Sequence, residues 1–216
     1  MDEALLKLTA WLSPAFPVGG FAYSHGLETA IADGIVTDAG TLTNWLSGVL
    51  AHGSGRTDAI LLIHAHAATV ADDSGAFQDV AALADALSPS GERRRETILL
   101  GTAFAETIGS SWGGDAAAAP YPIAVGRAAA EAGAEAGAAA RLYLQAFAAS
   151  LISAAIRLVP LGQVDGQRVL AALHPLIMDI AAEAEDASLD QIGSAAISAD
   201  ISSMRHEVQA VRLFRS

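Results

Sequence analysis

Six histidines and a few paired carboxylates are the groups with which this chain of 216 residues could do chemistry. His64 and His66 form His-x-His, with His52 upstream and His25, His174 and His206 elsewhere. On a helix, positions i and i+2 point about 200° apart, so these two are poorly placed to share an ion. A ligating pair wants a spacing of three or four. Helical di-iron centres use Glu-x-x-His, which does not occur here. The histidines are therefore expected to be structural, with no metal or other cofactor. Glu131/Glu135 and Asp179/Glu183 stand at i, i+4 and, with no histidines beside them, read as solvated acidic faces. Asp58, next to Arg56 at a helix start, suits the helix dipole. Ser24 and His25 are adjacent, but only Glu28 is near enough in sequence to orient the imidazole. There is no Gly-x-Ser-x-Gly elbow and no cysteine nucleophile. No catalytic residue is expected.

The bulk properties narrow the field further. The absence of cysteine removes disulfides, zinc–thiolate sites and thiolate-held clusters, and it fits a cytoplasmic location. A net charge of −12 argues against nucleic acid as a partner. Lys7 is the one lysine, in Leu-Leu-Lys-Leu-Thr rather than Gly-Lys-Ser/Thr, so the chain carries no phosphate-binding P-loop of its own. Asp2 and Glu3 stand where a basic leader segment would begin. The best apolar run, 142–156, is shorter than the roughly 20 residues a bilayer span needs. A soluble protein with no membrane contact is expected. Hydrophobic residues make up 52% and charged residues only 17%, below the usual share of about 25%. That deficit suggests apolar surface covered by another chain.

The elements that must position these groups read as helices. Apolar residues recur at helical spacing nearly throughout, and no useful period-two segments or hairpin signals appear. The expectation is an all-α, compact single-domain bundle of about ten helices over 1–216. A first helix covers 3–12 and stops at Pro14; a second covers 22–32. Thr37 and Asp38 cap a third, with Leu42, Trp45, Leu46 and Val49 on one face. The fourth and fifth span 56–71 and 77–87. Ser88-Pro89 opens a sixth that runs to about 111, before the Trp112-Gly113-Gly114-Asp115 break. In the alanine-rich stretch 116–140, Pro120 and Pro122 start a seventh, ended by Gly133 or Gly137. The eighth, 138–159, is apolar on nearly all sides and should be central. A ninth covers 165–183 with a kink near Pro175. Ser188 to Gln191 resembles a capping box before a last helix whose face is Ile197, Ile201, Met204, Val208 and Val211.

Three stretches interrupt this pattern. Residues 12–28 are rich in proline, glycine and aromatics, and a helix cannot run through Pro14, Pro17, Gly19 and Gly20. Phe16, Val18, Phe21 and Tyr23 argue that this turn is packed. Glu92-Arg93-Arg94-Arg95-Glu96 is the densest charge run and reads first as a solvated helix face, with docking on an acidic partner as its functional reading. At the C-terminus, Arg212, Leu213, Phe214, Arg215 and Ser216 put bases around large apolars. Leu213 and Phe214 need cover, and the arginines suit an acidic surface. A tail, 205–216, ordered by a partner is the expectation, with docking on its own chain as the alternative.

At this point the residues resemble a known family. Leu-Ser-Pro-Ala-Phe-Pro-Val-Gly-Gly-Phe-Ala-Tyr-Ser-His-Gly-Leu-Glu at 12–28 resembles the N-terminal signature of the urease accessory protein F family. Tyr-Pro-Ile-Ala-Val-Gly at 121–126 and Leu-Ile-Ser-Ala-Ala-Ile-Arg-Leu-Val-Pro-Leu-Gly-Gln-Val-Asp-Gly-Gln-Arg at 151–168 continue it. Met-Arg-His-Glu at 204–207 and Arg-Leu-Phe-Arg-Ser at 212–216 close it, in the family's order. The stretch 112–119 matches no family block, and Phe16 replaces a smaller residue. The resemblance implies an all-helical, dimeric, non-enzymatic adaptor for nickel insertion into apo-urease. It implies the D-type accessory protein (also called H) and the G-type GTPase as partners, with a role in regulating that GTPase. The partner-facing residues it implies are Arg205, His206, Arg212 and Arg215, with Leu213 and Phe214 beside them. In the N-terminal signature they are Pro17, Gly19, Gly20, Phe21, Ser24, His25 and Glu28. Reading Ser24 and His25 as a helix start and a contact surface follows from this. The competing reading is a nickel carrier or small helical metalloenzyme built on histidines and carboxylates; a helical subunit of some other complex is a third.

Overall fold

The structure is a computed structural model that describes residues 3–114 and 117–216. Asp2, Asp115 and Ala116, which entered the sequence reading, lie outside the described residues. Among the described residues the chain is all-α, with ten helices and two short 3-10 turns. The helices are α1 (Glu3–Trp11), α2 (Leu27–Ala32), α3 (Ala39–His52), α4 (Ser54–Val70) and α5 (Ser74–Ala86). They continue with α6 (Gly91–Ser111), α7 (Tyr121–Glu131), α8 (Ala136–Leu158), α9 (Gln163–Asp186) and α10 (Ile197–His206).

Where a local signal sets an element, the chain obeys it. The Asp38 carboxylate accepts the Thr41 N–H at 2.8 Å and starts α3. Asp73 caps α5 in the same way, accepting from the Ala76 N–H at 2.9 Å. Pro120 and Pro122 open α7, and Gly133, in the left-handed region, follows its end. Four expectations need correction. α6 is capped by Ser90, whose hydroxyl accepts the Arg93 N–H, so Pro89 stays outside the helix. α2 begins five residues late, because His25 (φ 56°) and Gly26 (φ 74°) are both left-handed and no helix passes through them. The box at Ser188, whose N–H donates to the Gln191 side chain, starts only the 3-10 turn Leu189–Gln191, and α10 begins later, at Ile197. Finally, α8 has 23 residues and is long and apolar enough to cross a membrane, although the run 142–156 alone is not. Half of its apolar window is buried within the protein.

α8 and α4 are the central elements. α4 packs on α7, α5, α8, α9 and α3, and α8 on α9, α4, α7, α2, α3 and α1. Alanine makes this possible. At Gly126 of α7 a Cβ would collide with the Leu62 carbonyl of α4, so these two helices meet backbone to backbone. Aromatic rings fill the space beside α1: Phe16 lies 5.4 Å from Phe104, and Phe104 is 5.7 Å from Tyr121. The phenylalanine at position 16 thus pays its way as packing.

The last helix is reversed relative to expectation. Ile197, Ile201 and Met204, at i, i+4 and i+7, lie on the exposed side, and the helix ends at His206, before Val208 and Val211, which are exposed too. Ser202, Ser203 and His206 are the buried ones. α10 sits on α2 and α6, where the absence of a side chain at Gly26 admits it: a Cβ there would stand 2.6 Å from the Ser203 nitrogen.

Candidate functional site

The chemistry-bearing residues gather where the N-terminal signature, α6 and the C-terminal tail meet. The tail folds back onto its own chain. Arg215 donates its N–H to the Ala22 carbonyl at 2.8 Å, and the Ser24 N–H donates to the Ser216 carbonyl at 2.9 Å. The Ser24 hydroxyl donates to the same carbonyl, and the Ser216 hydroxyl donates to Glu96. Side chains alternate as in an extended segment: Phe214 is 4% exposed and Leu213 63%. The Arg157 guanidinium lies 4.3 Å over the Phe214 ring and donates to the Phe21 carbonyl. The cover expected from a partner is, for Phe214, supplied by this chain.

Glu28 is the centre of this contact. Its carboxylate accepts the Leu213 N–H at 2.7 Å, the Phe214 N–H at 2.9 Å and His206 Nε2 at 3.1 Å. Burial alone would push this carboxyl up, but the two backbone donors and the imidazole together hold it below the usual range. His206 is wholly buried, and its other nitrogen, Nδ1, lies 2.6 Å from Glu92. Both ring nitrogens of His206 therefore face a carboxylate. Glu92 also accepts from Arg212 at 2.5 Å. Arg205 pairs with Asp33 at 2.6 Å on the surface.

A second cluster lies beside it. Glu96 accepts from Arg93 one turn earlier on α6. Burial would raise the Glu96 carboxyl, but the Arg93 guanidinium outweighs that and holds it at about 2. His25 Nδ1 accepts from Arg93 at 2.8 Å. Burial, with Arg93 alongside, lowers the imidazole to about 4, so it is neutral at physiological pH and its 3.0 Å approach to Glu96 is not an ion pair. Among the described residues the buried Nε2 of His25 has no hydrogen-bond partner. Asp58 accepts from the Tyr143 hydroxyl at 2.8 Å, and burial pushes its carboxyl up to about 6. His25, Asp58, Arg93 and Glu96 line one end of a cleft of about 570 Å³, whose apolar walls are the 12–21 loop and α8.

The predicted site residues divide accordingly. Pro17, Gly19 and Phe21 are exposed at the rim of this cleft with Gly20 between them. Ser24, His25 and Glu28 are not an open contact surface: they are taken up by the tail and α6. Ser24 and His25 are not paired with each other, and the carboxylate beside His25 is that of Glu96, 3.0 Å from Nδ1, rather than that of Glu28. Of the tail residues, His206 and Phe214 face inward, whereas Arg205, Arg212, Leu213 and Arg215 are exposed. Glu92, Arg93, Glu96 and Arg157 were missed. Arg93 and Glu96 are buried in a run expected to be solvated, and only Arg94 and Arg95 point outward. Their spacing of one helical face was the available signal.

The histidine pair holds the framework. His64 Nε2 lies 2.9 Å from the Ala187 carbonyl, and His66 Nε2 lies 2.8 Å from that of Ala134. Among the described residues no group of three or more His, Asp and Glu side chains is arranged to hold a metal ion.

Fold and site together define an all-α protein whose tail is locked onto its own N-terminal signature by buried carboxylates. The chain belongs to the UreF family: the family model matches residues 36–174. A protein of Cereibacter sphaeroides strain KD131 is 55% identical over 216 residues, covering all of both chains. One of Bradyrhizobium sp. strain BTAi1 is 50% identical over 221 residues, covering 99% of this chain and 92% of the relative. One of Roseobacter denitrificans is 46% identical over 214 residues, covering 99% and 95%. Each of these relatives is named urease accessory protein UreF. The family model covers neither the signature nor the tail, but the full-length alignments span both.

Proposed function

We propose that this chain is an adaptor in urease maturation and does no chemistry of its own. In this reading a homodimer in the cytoplasm joins the D-type (H) accessory protein to the G-type GTPase. The resulting complex inserts nickel into apo-urease, and the adaptor tunes GTP hydrolysis by the G partner. The relatives' names support the urease role. The absence of a P-loop sequence supports leaving nucleotide chemistry to the partner.

The observation that carries the adaptor role is the outward apolar stripe of α10, Ile197, Ile201 and Met204, continued beyond the helix by exposed Val208, Val211 and Leu213. A helix that buries serines and a histidine while leaving isoleucine and methionine in water is built to be covered by something else. The test is capture of purified D-type and G-type partners by the wild type and by the Ile201→Glu/Met204→Glu variant. Capture should be lost with the helical circular dichroism intact; unchanged capture removes the stripe from the interface. Sedimentation of the isolated chain tests the homodimer. Nickel titration tests the carrier reading. His64 and His66 each already face a carbonyl, so tight stoichiometric binding that is lost when they are changed would overturn the adaptor assignment.

A further inference from the structure

We propose that Glu28 and Glu92 are positioning residues, a two-carboxylate clamp that fixes segment 206–216 and thereby sets the direction in which α10 and Leu213 present their apolar side chains. This rests on the reading of that surface as a partner contact. Glu28 grips main chain: its donors at Leu213 and Phe214 are backbone N–H groups. It therefore fixes the path of the tail and leaves the Leu213 side chain facing water.

Glu92 grips the two ends of the connecting turn. It accepts from His206 at the end of α10 and from Arg212 beyond the turn. The turn is braced between these points by Thr29, which donates to the Gln209 side chain, and by Gln209, which donates to the Val211 carbonyl. His206 joins the two carboxylates, so neither grip is independent of the other. The dependence runs both ways. With the tail gone, two poorly solvated carboxylates would lose the donors that compensate their burial. The tail is thus held as a unit rather than frayed residue by residue.

The experiment is limited trypsin digestion of the isolated full-length chain. The Arg212–Leu213 bond includes the N–H that Glu28 accepts, so it reports directly on the clamp. In Glu28→Gln, one acceptor becomes an NH2 group facing donors, and cleavage there should rise by about tenfold, the loss of roughly one charge-assisted hydrogen bond. Cleavage after Arg168, inside α9, should not change; general loosening would raise both. Glu92→Gln should act in the same direction. Unchanged cleavage after Arg212 in Glu28→Gln overturns the clamp. So does amide exchange of Leu213 and Phe214 at the unprotected rate in the wild type, a measurement that needs no variant. Increased cleavage in Glu28→Gln with partner capture undiminished overturns the positioning role. Failure of the Ile201→Glu/Met204→Glu variant to lose capture, with wild-type cleavage, falls on the partner reading alone.

Discussion

Two helices of this protein carry apolar stripes of similar spacing and put them to opposite use. α8 buries Leu144, Ala148, Leu151 and Ile152 among six neighbouring helices. α10 leaves Ile197, Ile201 and Met204 in water and buries Ser202, Ser203 and His206. Periodicity reveals that a helix has an apolar side. It does not say which way that side faces. On α8 the area of apolar surface removed from water decides. On α10, specific polar partners decide: Ser203 meets Ser90 at 2.7 Å, and His206 meets two carboxylates. Hydrogen bonds to buried charges outweigh the gain from hiding one short stripe.

Substitutions can break this contrast. His206→Ala should cost most, roughly 3–5 kcal/mol, because it strands Glu28 and Glu92 beside an empty site; denaturant melts of the folded chain measure it. Leu144→Ala, at a fully buried position of α8, should cost about 2–5 kcal/mol through lost contacts and the cavity left behind.

Asp58→Asn should act the other way. Asp58 is raised to about 6 from 3.8, so it stabilises the fold at acid pH and loses that contribution as pH climbs from about 4 to 6. The asparagine variant should gain on the wild type across that window and then hold a lead of about 1–2 kcal/mol, less than the full shift because the site is partly open. Below pH 4.5 both should weaken, as Glu28 and Glu96, whose carboxyls are lowered in the folded chain, become protonated. His25, lowered to about 4 from 6.5, adds to the loss on the way down from neutral pH. Denaturation midpoints at pH 3 to 8 separate these contributions.

Ile201→Ala should have the smallest effect, within about 0.5 kcal/mol. A cost near that of Leu144→Ala would mean that the stripe is covered within the isolated chain.

Short-range chemistry made much of the fold legible. Asp38 with Thr41, Pro120 with Pro122, and Gly133 each act within a few residues, so α3 and both ends of α7 could be placed from local rules. The start of α2 could not, since it follows two left-handed residues whose surroundings come from distant elements: His25 lies against Arg93 of α6 and Phe147 of α8, and Gly26 against Ser203 of α10. For the site, the sequence marked the two segments that matter, and it marked Glu28, His206 and Arg212 within them. It did not mark their function. The partners of Glu28 lie 178 to 186 residues away, and Glu92 and Glu96 sit in a run that looked solvated.

The amino-acid sequence by itself determined the helical class, the proline- and glycine-broken signature, the lack of thiol and P-loop chemistry, and a family resemblance that comparison with known proteins upheld. Those follow from residue type and near-neighbour spacing. Tertiary structure alone decided that the tail lies on its own chain, that α10 faces its stripe outward, and that Glu28 holds the main-chain donors of the tail and His206 rather than His25. The reason is electrostatic: a buried carboxylate must find donors wherever the fold brings them, and sequence separation places no limit on where they come from.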